Sequence, residues 1–137
     1  MNNQYISKTD ADTQKLGQEF AKTLLEGDVV LLYGDLGFGK TTFVKGIAKG
    51  LNVKNTIISP TFTIVREYEN LYHLDLYRID DEKQLQEIGL PDLLEGSEIK
   101  IIEWPENMQG YMPQKRIDVK FLLNKDNTRT INIIKYE

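Results

Sequence analysis

Residues 34–41 have the types and spacing that bind the phosphates of a nucleotide. They read Gly-Asp-Leu-Gly-Phe-Gly-Lys-Thr and fit the pattern G-x-x-x-x-G-K-[ST] at every fixed position. In such a loop the backbone N–H groups surround the β-phosphate, Lys40 supplies charge to the β- and γ-phosphates, and the Thr41 hydroxyl can bind Mg²⁺. A chance match in a chain of ordinary composition has odds of about 0.5%. The sequence therefore predicts a phosphate-binding loop.

Two acidic residues are candidates for holding Mg²⁺ beside this loop. Such a loop works with an acid at the end of a neighbouring apolar strand. Glu103 ends the apolar run Ile-Ile-Glu, and Asp75 shares one face of an alternating strand with His73. We predict that Glu103 is the closer ligand and that Asp75 lies behind it. The alternative for each acid is a solvated strand end.

Other residues near these acids have less specific interpretations. His73, the only histidine, is interpreted as a hydrogen-bonded structural residue more readily than as a catalytic base. Trp104 follows Glu103 and could equally pack in the core or contact a partner. Any of the four arginines could stabilise charge during phosphoryl transfer, although surface salt bridges are the simpler expectation. These arginines are Arg66, Arg78, Arg116 and Arg129.

The phosphate-binding loop lies between a predicted strand and a predicted helix, as its chemistry requires. The continuous apolar run Val29–Tyr33 is typical of a strand buried on both faces. The other expected elements are helices at residues 7–25, 40–51 and 81–94 (the last interrupted at 89–91), a strand at 100–104, and two hairpins at 61–68 with 71–77 and at 116–123 with 129–136. This order predicts the α/β class, with a mixed β-sheet flanked by helices and antiparallel hairpins in one domain over residues 1–137.

Composition excludes several classes of protein. The 137 residues are 40% hydrophobic and 28% charged, which excludes a disordered or fibrous chain. A net charge of −4 disfavours a protein that binds RNA or DNA unaided. The lack of cysteine excludes disulfides and thiolate chemistry. With neither a signal sequence nor an apolar run longer than five residues, we expect a cytoplasmic protein without a membrane segment.

Other nucleotide-binding classes fit less well. The guanine-reading pattern Asn-Lys-x-Asp has only a near match at residues 124–127, where the acid comes one place early. A small-molecule kinase needs an acceptor site and a lid, and the segment between Lys54 and Lys100 is largely occupied by a hairpin and short helices. GTP is therefore disfavoured, and a kinase remains an alternative.

Six segments in order along the chain resemble the TsaE family, the ATPase of bacterial tRNA threonylcarbamoyladenosine biosynthesis. They are Thr13-x-x-Leu16-Gly17, Gly34-Asp35-Leu36-Gly37-x-Gly39-Lys40-Thr41-Thr42-Phe43, Ser59-Pro60-Thr61-Phe62, Tyr72-His73-x-Asp75-x-Tyr77-Arg78, Gly89-Leu90 and Ile102-Glu103-Trp104-Pro105. The resemblance implies a P-loop NTPase-like fold and a cytoplasmic, Mg²⁺-dependent ATPase. It also implies slow hydrolysis without the partner proteins TsaB and TsaD, and contact with tRNA only through that complex.

The resemblance also implies roles for individual residues. Contacts to the phosphates would come from the loop and the start of its helix, namely Leu36, Gly37, Phe38, Gly39, Lys40, Thr41 and Thr42. Thr41 and Glu103 would hold Mg²⁺, while Lys40, Glu103, Asp75 and Trp104 would support catalysis. Thr61 would lie near the γ-phosphate, and Thr9 and Arg129 would contact the base. Phe38 departs from the family, which usually has alanine there.

Two alternatives to this function remain at the level of the sequence. One is an ATP-sensing scaffold in which binding orders the segment around Thr61 and hydrolysis is incidental. The other is a small-molecule kinase, whose ATP turnover would need an added acceptor but no protein partner.

Overall fold

A mixed β-sheet of seven strands positions the predicted site residues. The structure is a computed structural model that describes residues 2–35, 39–54 and 64–137. The strands are β1 (Asn2–Ser7), β2 (Val29–Tyr33), β3 (Val65–Tyr68), β4 (Leu71–Asp75), β5 (Ile99–Glu103), β6 (Arg116–Leu123) and β7 (Arg129–Tyr136). The helices are α1 (Asp10–Ala21), α2 (Lys40–Gly50), α3 (Glu82–Glu87), α4 (Leu90–Glu95) and a 3₁₀ helix at Pro105–Tyr111.

The middle of the sheet is parallel and its two sides are antiparallel. The strand order is β1-β7-β6-β2-β5-β4-β3. Strand β2 pairs in parallel with β5 and β6, and β5 pairs in parallel with β4. The pairs β3–β4 and β6–β7 form the two predicted hairpins, and β1 adds antiparallel to β7. The predicted mixed sheet with antiparallel hairpins is therefore confirmed.

Two hydrophobic cores lie on opposite faces of the sheet. Val30 and Leu32 of β2 belong to the core shared with α1 and α2. Val29 and Leu31 belong to the core shared with α3, α4 and the 3₁₀ helix. All four side chains are buried. The prediction that this strand is buried on both faces is confirmed, because helices cover both sides of it.

Helices α1 and α2 pack closely because glycines face each other's backbone. A side chain at Gly17 of α1 would collide with the carbonyl oxygen of Phe43, and one at Gly46 of α2 would collide with that of Gln14. The ring of Phe43 on α2 packs between two other rings, with its centroid 5.5 Å from that of Phe20 and 5.4 Å from that of Phe121. This packing fixes α2, and with it the start of the helix at Lys40, against the sheet.

The predicted helix at residues 7–25 is wrong at both ends. It begins at Asp10 because the Thr9 side chain caps it, accepting a hydrogen bond of 3.0 Å from the Asp12 N–H. It ends at Ala21. Residues 2–7 instead form β1, a strand absent from the sequence-based prediction. The first five of these residues are exposed and their sequence has no apolar alternation, so their strand conformation comes from pairing with β7.

The remaining boundaries differ by a few residues. Strand β3 starts at Val65, and the predicted start at residues 61–63 lies outside the described residues. Strand β4 ends at Asp75, where the side chain accepts a hydrogen bond of 2.9 Å from the Tyr77 N–H and turns the chain. The interruption at 89–91 is confirmed, with Gly89 at a φ of 75° starting α4. Strand β5 spans Ile99–Glu103, and Trp104 already lies outside it.

The 3₁₀ helix at Pro105–Tyr111 was not predicted. No helix in the described ranges is long and apolar enough to cross a membrane.

Candidate active site

The predicted phosphate-binding loop follows β2 and leads into α2. Gly39 is the N-cap of α2 with a φ of 95°, a conformation that side chains rarely adopt. Among the described residues no side chain caps the first turn of this helix, so its backbone N–H groups can meet an anion. Thr41 and Thr42 lie in this first turn and are half-buried. Leu36, Gly37 and Phe38, the predicted phosphate contacts before Gly39, lie outside the described residues.

Lys40 points into the protein and meets the predicted acid. Its side chain is 4% exposed, and Nζ lies 3.8 Å from Oε1 of Glu103. Nζ also lies 4.7 Å from the ring centroid of Trp104, within the range of a cation–π contact. Within the described part of the chain, Nζ has no hydrogen-bond partner. The structure thus brings three of the four predicted catalytic residues together.

Glu103 is held from its other side by the single histidine. Nε2 of His73 lies 2.6 Å from Oε2 of Glu103, and both side chains are buried. Strand register explains the contact, since β4 and β5 run in parallel with His73 opposite Ile101 and Asp75 opposite Glu103. His73 therefore has the hydrogen bond that the sequence analysis expected, and its partner is the predicted metal ligand. The sequence did not reveal that contact, because it depends on which strands are neighbours.

Asp75, the fourth predicted catalytic residue, lies beside this group. Burial raises the pKa of Asp75, and the charge of Glu103 raises it further. The hydrogen bond from the Tyr77 N–H and the charges of Lys40 and His73 lower the pKa of Asp75 in the opposite direction. The net effect is a pKa above the ordinary aspartate value, which places Asp75 in the electrostatic environment of Glu103.

Trp104 leaves β5 in a strained backbone conformation. Its φ and ψ are 57° and 51°, in the left-handed region that a bulky residue adopts at a cost of about 1–3 kcal/mol. This turn places the ring of Trp104 over Lys40 on one side and against exposed Tyr77, whose ring centroid is 4.9 Å away. Trp104 is half-buried. The left-handed conformation could not be predicted from the sequence, although Pro105 after it indicated the end of the strand.

The two residues expected to contact the base lie on one side of the loop. Nη1 of Arg129 is 2.8 Å from Oδ1 of Asp10 and 3.2 Å from Oγ1 of Thr13. The same guanidinium covers Gly39, where a β-carbon would lie 3.0 Å from Nη1. Thr9 precedes Asp10 as the cap of α1. The structure therefore brings the start of α1, Arg129 and the loop together, whereas Thr61 lies outside the described residues.

The other three arginines lie apart from this pairing. Nε of Arg116 is 3.1 Å from Oδ1 of Asp118, and Arg78 is exposed. Nε of Arg66 is buried and has no hydrogen-bond partner in the described ranges. The expectation of a surface salt bridge is confirmed for Arg129, whereas Arg116 pairs with a buried carboxylate.

The donors at the site suit a metal ion that relies on few protein ligands. In residues 2–35, 39–54 and 64–137 there is no group of three or more His, Asp or Glu side chains that could hold a metal unaided. Glu103 and Asp75 lie opposite each other at the ends of β5 and β4. Mg²⁺ commonly uses one or two carboxylates together with phosphate oxygens and water. The residues present therefore fit Mg²⁺ bound together with a nucleotide.

Comparisons with known proteins agree on one family. The family profile described as "Threonylcarbamoyl adenosine biosynthesis protein TsaE" matches residues 7–131. A relative from Bacillus subtilis is 41% identical over 121 residues, which are 85% of this chain and 73% of the relative. A relative from Rickettsia bellii is 38% identical over 138 residues, which are 97% of this chain and 95% of the relative. Both relatives are named tRNA threonylcarbamoyladenosine biosynthesis protein TsaE.

A solved structure has the same fold. The crystal structure of Bacillus subtilis YdiB matches with a TM-score of 0.86 and 30% sequence identity. The match covers 100% of this chain and 87% of that chain. The predicted α/β, P-loop NTPase-like fold is therefore confirmed.

Proposed function

The chain belongs to the TsaE family of tRNA threonylcarbamoyladenosine biosynthesis, and we propose that in this process it binds ATP with Mg²⁺ and hydrolyses it to ADP and phosphate. Hydrolysis is weak for the protein alone and is stimulated by its partners. The ATPase is required for forming the threonylcarbamoyl group on the adenosine next to the anticodon, in tRNAs that read codons beginning with A.

The environment of Lys40 is the observation that carries this proposal. A buried ammonium group has three N–H donors, and burying them without acceptors is costly. Nζ of Lys40 has an ion-pair partner at 3.8 Å but no hydrogen bond within the described residues. Phosphate oxygens at the start of α2 would satisfy these donors, because the first-turn N–H groups favour an anion at the same place. The motif and this arrangement together support ATP.

Glu103 and the Thr41 hydroxyl are the proposed Mg²⁺ ligands, with Asp75 behind Glu103. When bound, Mg²⁺ supplies positive charge to the phosphate oxygens. Lys40 binds phosphate, and the ring of Trp104 holds its ammonium group in place. The remaining proposed nucleotide contacts are Thr9, Leu36, Gly37, Phe38, Gly39, Thr42, Thr61 and Arg129.

The proposed partners are the proteins TsaB and TsaD, with the protein acting in the cytoplasm. In this proposal TsaD transfers the threonylcarbamoyl group, and ATP hydrolysis by this chain resets or regulates it. The net charge of −4 supports a subunit that leaves tRNA binding to the other members of the complex.

Glu103→Gln tests hydrolysis against a scaffold that only senses ATP. Glutamine keeps the size of the side chain and an oxygen for His73, so nucleotide binding should be retained. We expect hydrolysis to fall by about two to three orders of magnitude, and tRNA modification in cells that depend on this protein to fail. Glu106→Gln, at an exposed position just after Pro105, is the matched control and should behave as the unaltered protein.

Full tRNA modification by Glu103→Gln without hydrolysis would favour the scaffold. ATP turnover that appears only with an added small-molecule acceptor, and without protein partners, would favour a kinase.

A further inference from the structure

We propose that His73 is a positioning residue that orients the Glu103 carboxylate toward the phosphate site. This inference rests on the proposed function, because it concerns how Glu103 serves a nucleotide with Mg²⁺. His73 itself does not reach the phosphates in this account, since Glu103 lies between it and Lys40.

The geometry divides the two carboxylate oxygens of Glu103 between two partners. Oε2 lies 2.6 Å from Nε2 of His73, and Oε1 lies 3.8 Å from Nζ of Lys40. An ionised carboxylate can only accept hydrogen bonds, so Nε2 is the donor in this contact. A short bond to one oxygen fixes the rotation of the carboxylate and leaves Oε1 facing the start of α2.

The position of His73 is not one that stability alone would give to a histidine. Its side chain is 0% exposed on a strand whose neighbours Leu71, Leu74 and Ile101 are buried aliphatic residues. Burying an imidazole costs free energy that hydrogen bonds must offset. Nδ1 of His73 has no hydrogen-bond partner in the described ranges, so the bond to Glu103 is the contact found to offset this cost. An aliphatic residue would fill the same position with less desolvation.

The contact matters most when phosphates bind. In the structure, Glu103 is held from both sides, by Lys40 and by His73. Once the Lys40 ammonium pairs with a phosphate, its hold on Oε1 weakens, and the hydrogen bond from His73 keeps the carboxylate in place. Loss of His73 should therefore reduce Mg²⁺-dependent ATP affinity and hydrolysis, which depend on Glu103. It should leave phosphate binding at the start of α2 intact.

His73→Leu and His73→Gln separate positioning from packing. Leucine fills space without a donor, whereas the glutamine amide can replace the Nε2 donor. Trp104 is the only tryptophan and lies at the site, so its fluorescence reports ATP binding with and without Mg²⁺. Leu85→Ala creates a cavity in the core on the other face of the sheet and is the control for a general loss of stability.

For His73→Leu we expect the affinity for ATP without Mg²⁺ to stay within about twofold of that of the unaltered protein. The increase in affinity on adding Mg²⁺ and the hydrolysis rate should each fall by about 10- to 100-fold. His73→Gln should recover most of both losses, and Leu85→Ala should show neither. Unchanged Mg²⁺ dependence and hydrolysis in His73→Leu would overturn the positioning role. If the unaltered protein binds no ATP, the proposed function itself fails and the inference fails with it.

A measurement on the unaltered protein covers the case in which His73→Leu does not fold. Because the chain has a single histidine, labelling its imidazole with ¹⁵N gives an unambiguous NMR signal. We expect an Nε2–H proton that is shifted downfield, exchanges slowly with water and moves upfield in Glu103→Gln. An Nε2–H proton that exchanges rapidly, or that does not respond to Glu103→Gln, would overturn the proposal.

Discussion

Nζ of Lys40 lies 3.8 Å from Oε1 of Glu103, and both side chains are almost completely buried. One partner begins α2 and the other ends β5, so the pair forms only when helix and sheet are packed together. A buried ion pair adds little net stability, because both charges lose their hydration. Its location at the predicted phosphate-binding loop is better explained by the proposed binding, in which the ammonium group pairs with phosphate and the carboxylate with Mg²⁺.

Lys40→Ala should abolish or greatly weaken nucleotide binding. The change removes the charge that pairs with the phosphates, and hydrogen bonds to charged groups contribute about 1.5–3 kcal/mol each, or roughly 10- to 100-fold in affinity. Isothermal titration calorimetry with ATP measures the effect. Lys45→Ala on the same helix removes an exposed lysine and should leave the affinity unchanged. Undiminished binding by Lys40→Ala would contradict the assignment of the phosphate site.

Gly39→Ala should both destabilise the protein and weaken ATP binding. An alanine at a φ of 95° is strained by about 1–2 kcal/mol, and its β-carbon would press on the Arg129 guanidinium. Denaturant unfolding and ATP titration measure the two effects. Adding Arg129→Ala relieves the contact but not the backbone strain, so it should recover only part of the stability. Gly110→Ala meets open space and is the control; equal behaviour of the two alanine variants would contradict this prediction.

Arg129→Ala should lower the affinity for ATP by about tenfold, because one charged contact beside the loop is lost. The guanidinium joins Asp10 and Thr13 of α1 to Gly39, so its removal also loosens this side of the site. Lys22→Ala removes a positive charge from an exposed pair with Glu19, at the other end of α1, and should leave the affinity unchanged. A similar loss in both variants would indicate a general effect of removing positive charge.

Asp75→Asn should stabilise the protein at neutral pH while reducing hydrolysis. The pKa of Asp75 is raised above its unfolded value of 3.8, so the folded state holds this proton more tightly than the unfolded state. Stability from this group is complete below pH 3.8 and is lost as the pH rises through the raised pKa. Asparagine does not ionise, so the variant does not lose this stability. Unfolding curves of Asp75→Asn and the unaltered protein, measured without Mg²⁺, should therefore differ at neutral pH and coincide in acid. A variant that is less stable than the unaltered protein at neutral pH would contradict the assignment.

The sequence predicts the local elements better than the contacts between them. The strand Val29–Tyr33 and the helix from Lys40 follow from local patterns, and both are observed where expected. The pairing of His73 with Glu103 was not predictable, because it needs β4 and β5 to be parallel neighbours. Parallel pairing joins segments far apart in the chain, and periodicity does not encode it.

The strand β1 and the turn at Trp104 show the same limit. Residues 2–6 are exposed and show no apolar alternation, so the strand conformation of β1 depends on β7 at the other end of the chain. Trp104 adopts a left-handed conformation because tertiary contacts with Tyr77 and Lys40 hold it there. Local propensity favours neither outcome, and long-range packing decides both.

ATP hydrolysis with Mg²⁺, measured for the purified protein alone and with TsaB and TsaD together, tests the central claim most directly. We predict weak activity alone that rises when both partners are added, and that is lost in Lys40→Ala under both conditions. A rate that is high from the start, or that the partners leave unchanged, would contradict an ATPase that works within the tRNA-modifying complex.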